Sequence, residues 1–181
     1  MGVHFAEFYG KHLALDANDA TIADTLKLLA EAKIKLVAHG VNGFTKDHDK
    51  NRKVFEFAKK MGLYGITTES IDALDTAEKL AKEYDIRVGI HEHAKRMKKG
   101  ADGKPVEDPG YKIWNPEFVR DLVKGRDSRI GACADIGHWQ TSGLKAIDGE
   151  IRKIVNDAAE FAQHSPEPDP SELWTDVLVG A

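Results

Sequence analysis

One cysteine, Cys133, is present among 181 residues. That excludes an internal disulfide and any zinc cluster built on several cysteines, and its alanine neighbours predict a thiol used for packing. No apolar run approaches the roughly 20 residues that span a bilayer. The N-terminus, Met1-Gly-Val-His-Phe-Ala-Glu7, has neither the basic nor the apolar region of a secretory signal, so a cytoplasmic protein is expected. A cationic stripe is lacking too. Lys and Arg number 26 against 30 Asp and Glu, for a formal net charge of −4, which gives no general attraction to nucleic acid. Small-molecule chemistry fits better.

What is present is an ordinary globular composition, 41% apolar and 31% charged, in a chain long enough for one domain with a substantial core. A complete eight-stranded α/β barrel takes about 250 residues, so this chain is short for one. Near-continuous apolar segments at Val3–Phe8, Ile34–His39, Leu63–Thr68, Ile86–His91 and Arg129–Ala134 predict strands. Between them, Leu26, Leu29 and Ala30 mark one helix. Val54, Phe57, Ala58 and Met61 share a face of the next, with Gly62 placed to end it; Leu74, Ala77, Ala81 and Tyr84 mark a third. Asn115-Pro-Glu117 supplies a cap, a first-turn proline and a favourably placed acid for a fourth helix, which Gly125 ends. Alternation of this kind implies right-handed crossovers and a parallel sheet.

The polar residues fall at the strand ends. Glu7 closes the first strand, His39 the second and Glu69 the third, His91-Glu-His93 follow the fourth, and Asp135 with His138 follow the fifth. All strand C-termini of a parallel sheet lie on one side, so groups far apart in sequence converge there. Each also has a plainer use: Glu7 as a loop cap, His39 as a hydrogen-bonded structural histidine, Glu69 as a helix-start acceptor. Alternation puts His91 and His93 on one side and Glu92 on the other. Gly137 lets the backbone turn tightly between Asp135 and His138.

The segments Ile34-Lys-Leu-Val-Ala-His-Gly-Val41, Thr67-Thr-Glu-Ser70, Arg87-Val-Gly-Ile-His-Glu-His-Ala94 and Ile130-Gly-Ala-Cys-Ala-Asp-Ile-Gly-His-Trp139, in that order, resemble the sugar phosphate isomerase/epimerase family of xylose isomerase-like barrels. The resemblance runs over about residues 2–143. It implies a partial (β/α) TIM barrel holding the family's strands 2–6, with a deviant C-terminal helix, in a domain of residues 1–164 followed by a tail of residues 165–181. It further implies a divalent metal (Mn, Mg, Co or Zn) at the C-terminal mouth. Asp135 matches the sixth-strand ligand, His91 the fifth-strand position and Glu69 a fourth-strand acid, while His138 and His93 are the expected catalytic groups. Glu7, His39 and Trp139 are expected to contact substrate. Relatives carry Glu or His-Asn-His where this chain has His91-Glu-His93, so Glu92 adds a carboxylate. The implied reaction is metal-assisted proton transfer on a sugar or related polyol ketone, with a sugar as the partner molecule.

Two departures set alternatives beside that reading. The first strand here matches the family's second, and no His-Leu-Lys-Asp element follows Gly143. Ile147, Ile151, Ile154, Val155, Ala158 and Ala162 predict a helix instead, and Ser165-Pro-Glu-Pro-Asp-Pro170 an extended linker. Trp174–Gly180 faintly resembles the element before the family's eighth strand. A non-catalytic or partner-dependent protein is one alternative, its open sheet edges covered by a second copy or a complementing chain. A related metal-dependent barrel lyase or hydrolase, including the abasic-site nucleases, is the other, and the acidic balance disfavours the nucleases. The basic segment Lys95–Lys104 reads as a solvated loop or as a lid attracting anions.

Overall fold

The computed structural model describes residues 4–144. The predicted helix over 147–162, the linker and the tail lie outside the described residues. The chain divides into two compact units, Met1–Ser142 and Gly143–Ala181, and the site belongs to the first.

Five parallel strands form one sheet: β1 (Phe5–Phe8), β2 (Lys35–His39), β3 (Gly65–Thr68), β4 (Arg87–His91) and, across a small insertion, β7 (Ile130–Cys133), in the order β1-β2-β3-β4-β7. Helices α1 (Asp19–Glu31), α2 (His48–Lys60), α3 (Leu74–Tyr84) and α4 (Pro116–Val123) connect them, and α5 (Ile136–Thr141) follows β7. Among the described residues, each α-helix except α3 begins on an Asn or Asp whose side chain accepts a backbone N–H of the first turn: Asn18, Asp47, Asn115 and Asp135. Gly62 and Gly125 take positive φ where α2 and α4 end, as their positions predicted.

Register explains the two faces of the sheet. Ile66, Val88 and Ile130 pair across β3, β4 and β7 and are buried in a core shared with Phe55, Leu74, Leu80 and Val119 from the helices. The alternate row, Thr67, Gly89 and Gly131, points the other way and carries almost no side-chain bulk. Thr67 of that row lines an open cavity.

The basic segment, read from sequence as a solvated loop or a lid, contains a short solvent-exposed hairpin. Met97–Lys99 and Pro105–Glu107 pair as an antiparallel hairpin, β5 and β6. Its turn is fixed by Gly100 N–H donating to Lys104 O at 2.8 Å and by Gly103 at φ +78°. All six strand residues are exposed, so no apolar alternation marked them as strands. No helix of the described residues is long and apolar enough to cross a membrane.

Candidate metal centre

Three side chains meet where β4 and β7 end. His91 Nε2 lies 3.8 Å from Asp135 Oδ2, and His138 Nε2 lies 3.7 Å from the same oxygen. One ligand atom from each of His91, Asp135 and His138 falls within 4.8 Å of the other two. The edge of a tetrahedral site with ligands at about 2.1 Å is roughly 3.4 Å, so the two edges to Asp135 Oδ2 lie within a few tenths of an ångström of coordination spacing, while the His91–His138 edge is held within 4.8 Å. Two imidazoles and a carboxylate suit a borderline divalent cation.

Local structure sets this geometry. Asp135 caps α5, its Oδ1 accepting the His138 N–H at 3.1 Å, and that single turn returns the His138 ring toward the carboxylate. His93 stacks on His138, with ring centroids 4.0 Å apart. Alternation along the extended chain places His91 and His93 together, 6.2 Å between centroids, as predicted.

Glu69 sits on the far side of His91, its Oε1 3.7 Å from His91 Nδ1. Its Oε2 already accepts from Arg96 Nη2 and the Tyr111 hydroxyl, both at 3.2 Å. Glu69 therefore lies outside the His91–Asp135–His138 group, although sequence placed it among the ligands. Glu92 points into the protein, 1% exposed, with one carboxylate oxygen unpartnered. Burial, aided by the Asp135 charge, pushes its carboxyl up to about 7.

Beside the three ligand candidates opens a cavity of about 300 Å³ to which Glu7, Gly40, Thr67, His91, Cys133 and Asp135 contribute. Glu7 lies in β1 and Asp135 follows β7, the two terminal strands of the five-stranded order, so one cavity holding both means that the sheet curves around it. Cys133 is half-buried at this wall, and burial, then the negative charges of Glu7, Asp135 and Glu92, raises its thiol pKa. Sequence reasoning took it for packing and missed its place in the cavity wall.

Two residues expected to contact substrate are placed elsewhere. His39 is 1% exposed, with Nδ1 at 3.1 Å from Asn42 Oδ1 and Nε2 at 3.0 Å from the Leu13 carbonyl. It is a structural histidine. Trp139 is also buried, on the packed face of α5. Neither is among the residues lining the cavity.

Comparison with solved structures identifies the architecture. A D-tagatose 3-epimerase-like protein superposes with a TM-score of 0.53 at 16% identity, covering 75% of this chain and 57% of its own. The chain folds as part of an α/β barrel. An uncharacterised protein from Parabacteroides distasonis is 32% identical with a TM-score of 0.53, over 69% of this chain and 44% of that one.

Sequence comparison with curated proteins gives a different name. The pyruvate dehydrogenase E1 component subunit alpha of Rhizobium meliloti is 60% identical over 138 residues, covering 68% of this chain and 38% of that protein. The mitochondrial E1 alpha subunit of Schizosaccharomyces pombe is 29% identical over 140 residues, covering 72% and 34%. The chain thus spans little more than a third of the length of these relatives. Each kind of likeness covers about two-thirds of the chain or more, so the two overlap on some of the same residues. No family model matches.

Proposed function

We propose that this chain carries out metal-assisted proton transfer on a sugar or related polyol ketone, an isomerisation or epimerisation. The convergence of His91, Asp135 and His138 beside an open cavity supports this most directly. Asp135, His91 and His138 would hold the cation, which would supply Lewis-acid polarisation of neighbouring carbonyl and hydroxyl oxygens and so acidify the carbon-bound proton between them. His93, which stacks on His138, would serve as the imidazole that moves that proton. Glu69, its carboxylate held by Arg96 and Tyr111, stands 3.7 Å from His91 Nδ1, where a small shift would let it accept from that nitrogen and orient the ring.

Dialysis of the full chain against manganese, cobalt or zinc, followed by elemental analysis, tests the reading. The wild type is expected to retain stoichiometric metal, and Asp135→Ala is expected to lose it. Unchanged retention in Asp135→Ala would sink the ligand assignment. Exchange of the α-proton of a ketose with deuterium from solvent then reports the chemistry.

The E1 alpha likeness supports a second reading, a protein related to part of pyruvate dehydrogenase. Pyruvate-dependent turnover by a chain that retains no metal would favour it over the first.

A further inference from the structure

We propose that Arg96 and Ser142 are positioning residues that couple the β5–β6 hairpin to the metal ligands, so that zinc binding and closure of the hairpin root strengthen one another. This rests on the metal site proposed above. Two chains of contacts start at different ligand histidines and end on consecutive residues, Lys95 and Arg96, at the entrance to the hairpin. On one, Glu69 stands with Oε1 3.7 Å from His91 Nδ1, while its Oε2 accepts from Arg96 Nη2 and the Tyr111 hydroxyl, both at 3.2 Å. On the other, the Ser142 hydroxyl donates to the His138 carbonyl at 2.8 Å and accepts the Lys95 N–H at 3.0 Å. The root is also closed from within. Asp108 N–H donates to the Arg96 carbonyl at 2.8 Å, the Arg96 guanidinium lies 3.9 Å from the Tyr111 ring centroid, and Lys95 Nζ reaches Glu107 Oε2 at 3.2 Å. Beyond the root all six strand residues are exposed, so little apolar burial ties the hairpin down.

The His91 end of the first path has room to tighten. His91 Nδ1 is buried without a hydrogen-bond partner among the described residues, and 3.7 Å to Glu69 is too long for one. His91 faces Asp135 through Nε2. Coordination through that nitrogen would fix the ring proton on Nδ1 and make it a stronger donor, with Glu69 Oε1 the acceptor beside it. A shift of about 0.8 Å would bring the pair to ordinary hydrogen-bond distance. Arg96 and Tyr111 bond the same carboxylate, so the hairpin root would move with it. Linkage makes the effect mutual: the factor by which zinc favours the closed root is the factor by which a closed root favours zinc.

Amide hydrogen exchange of the full chain, followed by NMR with and without zinc, tests the coupling beside zinc affinities measured by competition with a chromophoric chelator. In the wild type, zinc is expected to slow exchange at Gly100 and Asp108, whose amides bond across the hairpin, by about fivefold or more. Arg96→Ala and Ser142→Ala should each weaken zinc binding by about fivefold or more and shrink that protection, with thermal melts confirming that each variant is folded. Arg96→Lys, which keeps a cationic donor for Glu69, should recover part of the loss. Lys104→Ala, which removes an exposed side chain paired with Asp102, should change neither quantity. Zinc bound with no slowing at the hairpin amides overturns the proposal and leaves the metal-site reading standing. So do zinc affinities within about twofold of wild type in both alanine variants. A chain that binds no zinc overturns both.

Discussion

The imidazoles of His93 and His138 stack with ring centroids 4.0 Å apart and planes 24° from parallel. In that arrangement only one of the two rings reaches the ligand group of His91 and Asp135, which divides their duties. His138→Phe should therefore release the metal, whereas His93→Phe keeps the stack and should hold metal with a dissociation constant within about threefold of wild type. Turnover in His93→Phe should nonetheless fall by about 10² or more, the usual worth of a positioned acid or base. Elemental analysis beside deuterium exchange separates the two effects. Metal loss in His93→Phe would exchange the roles.

Gly40 and Thr67 meet where β2 and β3 run into the cavity. A Cβ at residue 40 would fall 1.7 Å from Thr67 Oγ1 and 3.1 Å from the Thr67 backbone nitrogen. Gly40→Ala is expected to destabilise the fold by about 1–3 kcal/mol through overpacking, read from urea denaturation midpoints. Adding Thr67→Ala should recover part of the loss. An additive double variant would show that the strain lies in the backbone instead.

Glu92 makes stability depend on pH in the metal-free chain. Its carboxyl is raised from the usual 4.5 to about 7 in the folded protein, first by burial and then by Asp135. Between those values the folded chain binds a proton that the unfolded chain does not, so stability falls as pH rises through the window and levels off above it. The loss should be about 2–3 kcal/mol. Denaturation midpoints at pH 4.5, 6 and 7.5 in the presence of chelator should show this slope, and Glu92→Gln should flatten it. A wild-type profile no steeper than that of Glu92→Gln would remove Glu92 as the cause.

The strands were legible because parallel strands buried on both faces leave near-continuous apolar runs, as in the fully buried Gly65–Thr68, and Lys35–His39 and Arg87–His91 begin within one residue of their predicted starts. Asn115-Pro-Glu117 announced α4 through its cap, and the side chain of Asn115 accepts the Glu117 and Phe118 amides. Convergence at one sheet edge was legible for the same reason, since topology alone brings His91 near Asp135. Depth was not. His39 occupies a strand end as His91 does, but its partner carbonyl comes from Leu13, 26 residues away. No local pattern reports that bond. The partners of Glu69 were hidden on similar grounds, because Arg96 and Tyr111 reach it from a hairpin and a loop with no apolar period. Helix α5 is six residues long, too short to show a helical repeat, and its start was visible only as Asp135 followed three residues later by His138.

Asp135 carries its two oxygens in different directions. Oδ1 receives the His138 amide at the first turn of α5, and Oδ2 faces both imidazole nitrogens. A carboxylate divided in this way can lend a cation one oxygen without disturbing the helix, but chelation through both would undo the turn that carries His138. As a metal ligand Asp135 would thus police its own denticity: a small ion content with single-oxygen donation would keep the histidine in place, and a large one such as calcium, which often takes both oxygens, would push away one of its own ligands.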